Sequence, residues 1–450
     1  MNDLLYKKLE DICLDEKRAI ISGPFGSNIS SKYFVDKGIP VIRGNNLSLS
    51  LDKFYDEGFV YVTKKKADEL NCYAKKLDII FTAAGTIGQV GLITNDTKYD
   101  CYVISNKQIR ARLDPNKIDI LYAYYWFTSP WIQKYLTSNN KGSTVPLLSL
   151  WEVKNLPIIY PKSMSKQKKI SNIIDKISKK IELNNKINDE LEVMAKTVYD
   201  YWFLQFEFPN EEGKPYKSSG GKMVWNDELK REIPEGWING HLKEYIKNQK
   251  AGDWGKENAI DNYQKEVTCI RGADFSSITS FEKMDMPRRF ILEKNSFKLL
   301  SVYDLLIEIS GGSPIQSTGR ICYINDAVLK RFSTKLITSN FCKAISLTDN
   351  NYFYWFYMLW KTLYINNVFF NYESKTTGIK NLLFDIMCEK YPICKPPIQI
   401  IRLYNQQVTP YFNKIQQNII ENQELTSLRD FLLPLLMNGQ VGFKGDKAED

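Results

Sequence analysis

Two separate blocks of the amino-acid sequence occur twice, in the same order. Residues 41–47 (Val-Ile-Arg-Gly-Asn-Asn-Leu) return as residues 269–275 (Cys-Ile-Arg-Gly-Ala-Asp-Phe), 228 residues later. Residues 78–81 (Asp-Ile-Ile-Phe) return as residues 304–307 (Asp-Leu-Leu-Ile), 226 residues later. Solenoid repeats have periods of about 20 to 50 residues, so an offset of this length indicates a duplicated domain. Such a chain presents two similar binding faces.

The composition is that of a globular protein with several domains. The chain has 450 residues, of which 43% are hydrophobic and 13% aromatic, enough for about three packed modules. It shows neither the apolar segment of a signal peptide nor a run of about 18 uncharged apolar residues. The 8 cysteines include no Cys-x-x-Cys pair, which argues against a zinc ribbon or a redox dithiol. We expect a cytoplasmic protein without membrane contact, whose cysteines are reduced.

The net charge of +9 favours a polyanionic partner such as a nucleic acid. The single histidine, His241, aligns with Lys8 of the first half, so the repeat does not preserve it. A catalytic role would require a nearby partner that the sequence does not show. Histidine-based catalysis is therefore not indicated.

The predicted fold class is α+β, with two similar mixed α/β domains separated by two long antiparallel helices with coiled-coil spacing. Short strands, such as residues 39–42 and 79–82, alternate with Gly and Asn turns. Each domain also has an aromatic helical segment and closes with an extended stretch. The predicted boundaries are 1–160 for the first domain, 161–206 for the first helix, 207–238 for an irregular connector, 239–400 for the second domain, 401–438 for the second helix and 439–450 for a tail.

The two long helices carry apolar residues at steps of three or four, the spacing of a coiled-coil seam. An asparagine interrupts each seam, and a buried asparagine fixes helix register at a cost in stability. Pro410 and Pro434 are expected to limit or bend the second helix. The helices either pair with each other, which we favour, or each lies on its own domain. The seam residues are Ile170, Ile177, Asn184 and Leu191 in the first helix, and Val408, Ile415, Asn422 and Leu425 in the second.

Enzyme signatures are missing from the sequence. No Gly-x4-Gly-Lys-Ser/Thr phosphate loop occurs, and Pro396-Pro397 follows Lys395, unlike the Asn-Pro-Pro-Tyr/Phe motif of adenine methyltransferases. The glycine-rich residues 85–91 and 311–319 lack the Gly-x-Gly-x-x-Gly order of dinucleotide sites. We predict no cofactor, no metal and no catalytic residue. The rival reading is an enzyme whose site rests on an unrecognised set of carboxylates.

Arg43 and Arg271 hold matching places, each after an apolar strand and before a glycine. An arginine can bind guanine with two hydrogen bonds or pair with phosphate, whereas its structural alternative is an internal ion pair. The neighbouring glycines either form tight turns or let the backbone approach DNA.

Polar and basic side chains around these segments are the predicted DNA contacts. The copies differ where Asn45-Asn46 become Ala273-Asp274 and where Thr82 becomes Glu308. Asparagine prefers adenine and a carboxylate prefers the cytosine amino group, so the two halves are expected to read different sequences. The predicted contacts are Ser27, Lys32, Arg43, Asn45, Asn46, Thr82, Thr86, Gln89, Lys107, Lys141, Ser143 and Thr144 in the first half, and Lys256, Arg271, Asp274, Ser310, Ser313, Gln316, Ser317, Thr318, Arg320, Lys375, Thr376 and Thr377 in the second.

Several segments resemble the specificity subunit of type I restriction-modification systems. Their order, with two helices interleaved, is more specific than any single motif, and the resemblance covers essentially the whole chain. The segments are residues 23–27, 39–46 and 86–91 in the first half, 310–314, 318–320 and 428–439 in the second, and residues 201–222 and 233–237 in the connector.

This resemblance implies two target-recognition domains, each similar to the DNA-recognition domain of certain adenine methyltransferases. Each domain would read one half of a split double-stranded DNA site, and the helices would set the unread gap. Two modification subunits would dock on the helices, and a restriction subunit can join them. The specificity subunit itself would perform no chemistry. The alternative is a stand-alone nucleic-acid-binding protein that dimerises through its coiled coil.

Overall fold

Short β-branched and aromatic runs separated by Gly, Asn and Asp form the strands, and two long polar-apolar stretches form helices. The computed structural model describes residues 4–138, 147–280, 285–311, 315–376 and 379–442. The chain divides into two units: unit 1 contains residues 1–181 and 424–450, and unit 2 contains residues 182–423. Each long helix therefore contributes to both units. The protein is a mixed α and β protein, as predicted.

Unit 1 contains eleven strands among its described residues. They are β1 Leu4–Lys8, β2 Ile20–Ser22, β3 Phe34–Val35, β4 Ile39–Ile42, β5 Val60–Val62, β6 Tyr73–Lys75, β7 Ile79–Thr82, β8 Val90–Leu92, β9 Cys101–Ile104, β10 Gln108–Ala111 and β11 Pro157–Pro161. Its helices are α1 Lys64–Leu70, α2 Ile120–Phe127, α3 Pro130–Ser138, α4 Leu150–Lys154 and the first half of α5 Met164–Tyr199.

Two sheets form the centre of unit 1. One has the order β2-β10-β7-β8 and the other the order β3-β5-β4-β9-β6. In the second sheet β4 and β9 are parallel, with Val41 opposite Val103 and Ile42 opposite Ile104. Since parallel strands end at the same edge, the residues after β4 and β9 lie side by side. The candidate site is found at this edge.

The aromatic helix α2 provides much of the core of unit 1. Tyr122, Tyr124, Tyr125 and Phe127 are completely buried, and Phe127 packs on Phe81 of β7 with ring centroids 5.4 Å apart. Burying such rings stabilises a fold by about 1.5–3 kcal/mol each. The helix stops at Thr128-Ser129 and α3 follows, so the single predicted aromatic helix is two short helices.

Unit 2 contains the remaining strands. They are β12 Met223–Asn226, β13 Arg231–Pro234, β14 Ile238–His241, β15 Ile246–Ala251, β16 Tyr263–Ile270, β17 Arg288–Leu292, β18 Leu305–Glu308, β19 Ser310–Gly311, β20 Ile321–Tyr323, β21 Lys335–Thr338, β22 Cys342–Leu347, β23 Glu373–Thr376, β24 Ile379–Leu382 and β25 Pro392–Lys395. Its helices are α6 Phe275–Thr279, α7 Asp326–Lys330, α8 Phe353–Ile365, α9 Phe384–Lys390 and most of α10 Ile398–Met437.

The strand orders in unit 2 match those in unit 1. The sheet β15-β22-β18-β20 has the order of β2-β10-β7-β8, and β17-β16-β21 has the order of β5-β4-β9, including one parallel pair. The repeated aspartates also act alike. Asp78 accepts a 2.8 Å hydrogen bond from the Lys75 amide, and Asp304 accepts one of 2.8 Å from the Ser301 amide. The repeated Asp therefore holds the turn before each buried strand.

The segment between the first long helix and β14 is more ordered than the predicted irregular connector. Strands β12 and β13 form an antiparallel hairpin within it. Phe206, Phe208 and Trp237 are buried in the core of unit 2, where the Phe208 and Trp237 rings stack with centroids 5.0 Å apart. Aromatic side chains in a Gly- and Pro-rich stretch therefore attach it to the second unit.

The predicted long helices were 161–206 and 401–438, and the structure has α5 over Met164–Tyr199 and α10 over Ile398–Met437. After Tyr199, α5 continues into a π-helical turn, Asp200–Leu204. Helix α10 runs through both Pro410 and Pro434. Around Pro410 the helix is anchored by Tyr404, Val408 and Phe412, which are all buried in the core of unit 2. This packing offsets the cost of the missing backbone donor.

Within unit 2, residues 182–199 of α5 run antiparallel to residues 398–423 of α10. The Asn184 amide donates to the Asn422 side-chain oxygen at 2.8 Å, and Asn418 donates to Asn188 at 2.8 Å. The Tyr404 hydroxyl donates to the Ala195 carbonyl at 3.2 Å. Along the two long helices burial differs between neighbouring apolar residues: Ile174, Ala195 and Phe412 are buried, whereas Ile173 and Tyr411 are half-buried and Met194 is exposed.

The other seam residues are buried to different degrees. Ile170, Val408 and Ile415 are buried, whereas Ile177, Leu191 and Leu425 are half-buried. Ile170 packs in the core of unit 1, and Val408 and Ile415 pack in the core of unit 2. Each long helix therefore also packs on the domain cores, which is the alternative that the sequence left open.

Candidate nucleic-acid interface

A cleft of about 570 Å³ opens at the edge of unit 1 where β4 and β9 end. The polar side chains that line it come from three segments of the chain, and most of them are predicted DNA contacts. They are Arg43, Asn45, Thr82, Thr86, Gln89, Ser105, Asn106, Lys107 and Gln108. Ser27 and Lys32, two further predicted contacts, are exposed, but they do not line the cleft.

The turn at Arg43 is built by Asn46, three residues further along the chain. Asn46 is completely buried and accepts a 2.9 Å hydrogen bond from the Arg43 amide. Its own amide donates to the Tyr55 and Glu57 carbonyls at 3.0 and 2.8 Å. Asn46 is a predicted DNA contact, but all these bonds are internal, so it shapes the turn. Asn45 is exposed, and its side-chain amide donates to the Gly58 carbonyl at 3.2 Å.

Among the residues that the structure describes, the Arg43 guanidinium has no acidic partner. It donates to the Gly58 carbonyl at 3.2 Å, and in the part of the chain that the structure describes no carboxylate lies within 4.0 Å of it. Lys107 is exposed and is likewise without an ion pair among the described residues. The cleft of unit 1 therefore carries two cations that form no ion pair with any described residue, which suits phosphate or the acceptor edge of guanine.

The floor of this cleft is a hydrogen-bonded pair. Thr82 donates its hydroxyl to Gln89 at 3.0 Å, and the Gln89 amide donates to the Gly44 and Leu47 carbonyls at 3.1 Å each. Thr82 is buried and Gln89 half-buried. The pair fixes the turn after Arg43, while Thr86, on the exposed glycine-rich loop, faces solvent.

Unit 2 has the same turn after β16, but there the arginine forms an ion pair with a carboxylate. Arg271 donates to Asp274 through Nε and Nη2 at 2.8 Å each, and its amide also donates to Asp274 at 2.8 Å. The hydrogen bonds that the guanidinium donates to Asp274 raise the pKa of Arg271. Asp274 was a predicted DNA contact, but it is buried and binds Arg271 inside the protein. The position of Asn45 is taken by the exposed Ala273.

A second ion pair takes the place of Thr82 and Gln89. Arg320 donates to Glu308 through Nε at 2.8 Å and Nη2 at 2.6 Å. The backbone bonds match as well, since Thr82 N donates to Gln89 O at 3.0 Å and Glu308 N to Arg320 O at 2.9 Å. Hydrogen bonds with Glu308 raise the pKa of Arg320. The Glu308 carboxylate is buried in this pair and does not face outward.

The remaining predicted contacts of unit 2 divide into buried and exposed groups. Thr318 is buried and donates its amide and hydroxyl to Glu373 at 2.7 and 3.1 Å, and Ser317 is also buried. Ser310 donates to Asn381 at 2.6 Å. Gln316 and Lys256 are exposed. Lys141, Ser143, Thr144, Ser313 and Thr377 lie outside the described residues, and of Lys375 and Thr376 only the backbone of β23 is described.

One pair of repeated residues was missed in the sequence. Ser105-Asn106 follows β9, and Ser339-Asn340 follows β21. The Ser105 amide donates to the Ile42 carbonyl at 3.0 Å, and the Ser339 amide to the Ile270 carbonyl at 2.9 Å. Gly23 and Gly252 approach these serines so closely that a Cβ would lie 1.8 and 1.9 Å from their carbonyl oxygens. The Ser-Asn dipeptide, repeated 234 residues apart, was the available signal.

Nothing in the described part of the chain resembles a catalytic or metal centre. The residues with placed side chains contain no cluster of three or more His, Cys, Asp or Glu that could hold a metal. Burial raises the pKa of the Cys269 and Cys342 thiols to about 12, so neither is a thiolate near neutral pH. None of the described helices is both long and apolar enough to cross a membrane.

Comparisons with known proteins agree with the resemblance seen in the sequence. Residues 1–193 match the family model of the type I restriction modification DNA specificity domain. The chain is 26% identical over 438 residues to the type I restriction enzyme MjaIX specificity subunit of Methanocaldococcus jannaschii, covering 97% of this chain and 93% of that protein. It is 23% identical over 407 residues to the HindI specificity subunit of Haemophilus influenzae, covering 82% and 87%.

A solved structure shares the fold. The crystal structure of the type I restriction-modification S subunit from M. genitalium aligns with a TM-score of 0.55 at 16% identity, covering 97% of this chain and 96% of that one. Both long relatives and the domain match thus point the same way: the chain is similar to type I restriction enzyme specificity subunits over most of its length, and residues 1–193 match the type I restriction modification DNA specificity domain.

Proposed function

We propose that this chain is the DNA-reading subunit of a type I restriction-modification complex, in which each unit reads one half of a split double-stranded target. The observation that carries the proposal is the turn after the central parallel strand. In both units an arginine, a glycine and a buried Asn or Asp form it with the same backbone bond, of 2.9 Å in unit 1 and 2.8 Å in unit 2.

The same comparison supports the view that the two units are copies of one domain. Their strand orders agree, and the pairs Thr82–Gln89 and Glu308–Arg320 occupy one position in the hydrogen-bond pattern. Duplication keeps the scaffold, while the side chains at its edge change. Two copies with different edges are what reading two different half-sites requires.

The long helices would set the unread gap and dock two modification subunits, with restriction subunits able to join. Buried asparagine pairs hold α5 and α10 in one register, as a spacer of defined length requires. Exposed apolar side chains on α5, Leu183 at 53% and Val193 at 63%, are available for a partner. The positive net charge suits the DNA between the half-sites.

Mapping methylated adenines in the native host, with and without this chain, tests the proposal. We expect a split motif, with two specified halves and an unspecified gap, that disappears when the chain is deleted. A methylation pattern that does not change would contradict it.

The rival assignment, a stand-alone nucleic-acid-binding protein that dimerises through its helices, predicts a different purified state. We expect the chain to form a complex with a modification subunit, because the polar seam of α5 is already bonded to α10 of the same chain. A stable dimer of the chain alone that ignores the modification subunit would favour the rival.

A further inference from the structure

Phe341 occupies in unit 2 the position that Lys107 occupies in unit 1. The Lys107 carbonyl accepts from the Ala83 amide at 2.7 Å, and the Phe341 carbonyl accepts from the Ile309 amide at 2.9 Å. Each residue follows the repeated Ser-Asn dipeptide. The two backbones are therefore held alike, and only the side chain differs.

Near Phe341 the arginines of unit 2 are paired with carboxylates, unlike Arg43 of unit 1. Arg271 is bonded to Asp274 and Arg320 to Glu308, each through two nitrogens. Unit 1 presents Arg43 and Lys107 without ion pairs among the described residues. The edge of unit 2 thus combines neutralised guanidinium groups with an aromatic ring that is 55% exposed.

We propose that Phe341 is a specificity residue of unit 2, which contacts the 5-methyl group of a thymine in the half-site that this unit reads. The proposal rests on the proposed function, since it concerns the same DNA-reading edge. Apolar contact with the thymine methyl group is the direct way in which a phenylalanine distinguishes a base pair in the major groove.

The two half-sites should then be recognised by different kinds of contact. Unit 1 recognises DNA through cations, and unit 2 through an apolar contact at the equivalent position. Binding that releases counterions depends on salt, whereas apolar contact does not. Removing Lys107 therefore changes the salt dependence of DNA binding, and removing Phe341 does not.

The test uses the full chain in complex with its modification subunits and DNA duplexes that carry the mapped target. We expect Phe341→Ala to weaken target binding by about 10-fold with an unchanged slope of log affinity against log salt. Phe341→Lys should make that slope steeper by about 0.9, and Lys107→Ala should make it shallower by about 0.9. Phe297→Ala removes another exposed ring of unit 2 and should leave binding unchanged.

Replacing each thymine of the target by uracil identifies the methyl contact. For the wild-type complex one position should lower affinity, and in Phe341→Ala that position should no longer matter. Wild-type affinity in Phe341→Ala, uracil sensitivity that survives this substitution, or a target without thymine would overturn the inference. A wild-type complex that does not prefer the mapped target over unrelated DNA would instead overturn the proposed function.

Discussion

The side-chain amide of Asn184 in α5 donates a 2.8 Å hydrogen bond to the side-chain oxygen of Asn422 in α10, in a buried part of unit 2. The Asn422 amide in turn donates to Asn185 at 2.8 Å. Only one alignment of the two helices makes these bonds. Sliding either helix would leave buried amides unpaired, at a cost of about 1–3 kcal/mol for each group.

The register can be tested by removing one or both members of the pair. Asn184→Leu should lower the free energy of unfolding by about 1–3 kcal/mol, because the Asn422 oxygen loses its buried donor. The double variant Asn184→Leu/Asn422→Leu should regain much of this loss, since apolar side chains of similar size replace both partners. Denaturant unfolding of the four proteins in a double-mutant cycle measures the coupling.

Glu190→Ala, on the exposed face of α5, serves as the control and should change stability by less than about 0.5 kcal/mol. Strictly additive effects of the two Leu substitutions would mean that the asparagines do not act as a pair.

The asparagine pairs also define a block that can be removed from both helices at once. Residues 184 and 188 of α5 face residues 422 and 418 of α10, so deleting 182–188 and 418–424 together keeps the remaining residues paired as before. Seven residues span about 10 Å of helix and turn its faces by only about 20°. We expect the gap in the DNA target to shorten by about three base pairs, with both half-sites unchanged.

Methylation mapping in cells that carry the shortened chain reads the new gap directly. Deleting residues 182–188 alone is the matched control, because it shifts one helix against the other and should abolish the methylated motif. An unchanged gap in the double deletion would contradict the spacer role.

The strands and long helices were predicted well from local patterns in the sequence, because each type of element gives its own spacing of apolar residues along the chain. Strand Ile79–Thr82 and helix Met164–Tyr199 lie close to their predicted positions. Ile173 and Ile174 are neighbours of equal hydrophobicity, so spacing alone does not determine which faces the core. Their different burial is decided by packing, with Ile174 in the core of unit 1.

The site residues were harder to predict than the elements that carry them. The repeat identified Arg43, Thr82 and Gln89, and the structure brings them to one cleft. The repeat does not distinguish a side chain that faces outward from one that builds the turn. Asn45 and Asn46 are adjacent and identical, yet one is exposed and the other completely buried. That distinction depends on the Tyr55 and Glu57 carbonyls, which come from a distant part of the loop.

The two repeated arginines should respond differently to alanine substitution. Arg43→Ala removes a cation without breaking an ion pair, so we expect unchanged stability and a loss of about 1–3 kcal/mol in binding one half-site if Arg43 contacts a base. Uniform weakening on all DNA, with a shallower salt dependence, would identify a phosphate contact instead. Affinities for duplexes with single changes in each half-site separate the two outcomes.

Arg271→Ala should instead destabilise unit 2, because it leaves the buried Asp274 carboxylate without its cation. We expect a loss of about 1–3 kcal/mol, reduced from the value for a fully buried pair since the Arg271 side chain is 37% exposed. The double variant Arg271→Ala/Asp274→Asn puts a neutral amide where unit 1 has Asn46 and should recover stability. Thermal unfolding compares the three proteins, and equal stability of Arg271→Ala and wild type would show that the pair is not structural.

An ion pair inside unit 1 makes its stability depend on pH. Asp175 is bonded to Lys53, and it accepts from the Tyr125 hydroxyl at 3.1 Å and from Lys179 at 3.1 Å. Burial tends to raise the pKa of this carboxyl group, but the bonds to Lys53, Lys179 and Tyr125 outweigh burial and hold the pKa below its usual value of 3.8. The charged form is therefore the stabilising one.

Because the folded pKa lies below the unfolded one, the contribution of Asp175 is fully present above pH 3.8 and is lost as the pH falls through the folded pKa. Asp175→Asn should lower stability at neutral pH by about 2–4 kcal/mol, since it leaves the largely buried Lys53 ammonium without its anion. The difference between wild type and Asp175→Asn should shrink as the pH falls from 3.8 towards the folded pKa, at which the wild-type carboxyl group takes up its proton. Denaturant unfolding at neutral pH and at about pH 3 measures this difference, and Asp68→Asn, in an exposed ion pair with Lys64, provides a control with little effect at either pH. A difference that persists at the lower pH would show that Asp175 acts through packing and not through its charge.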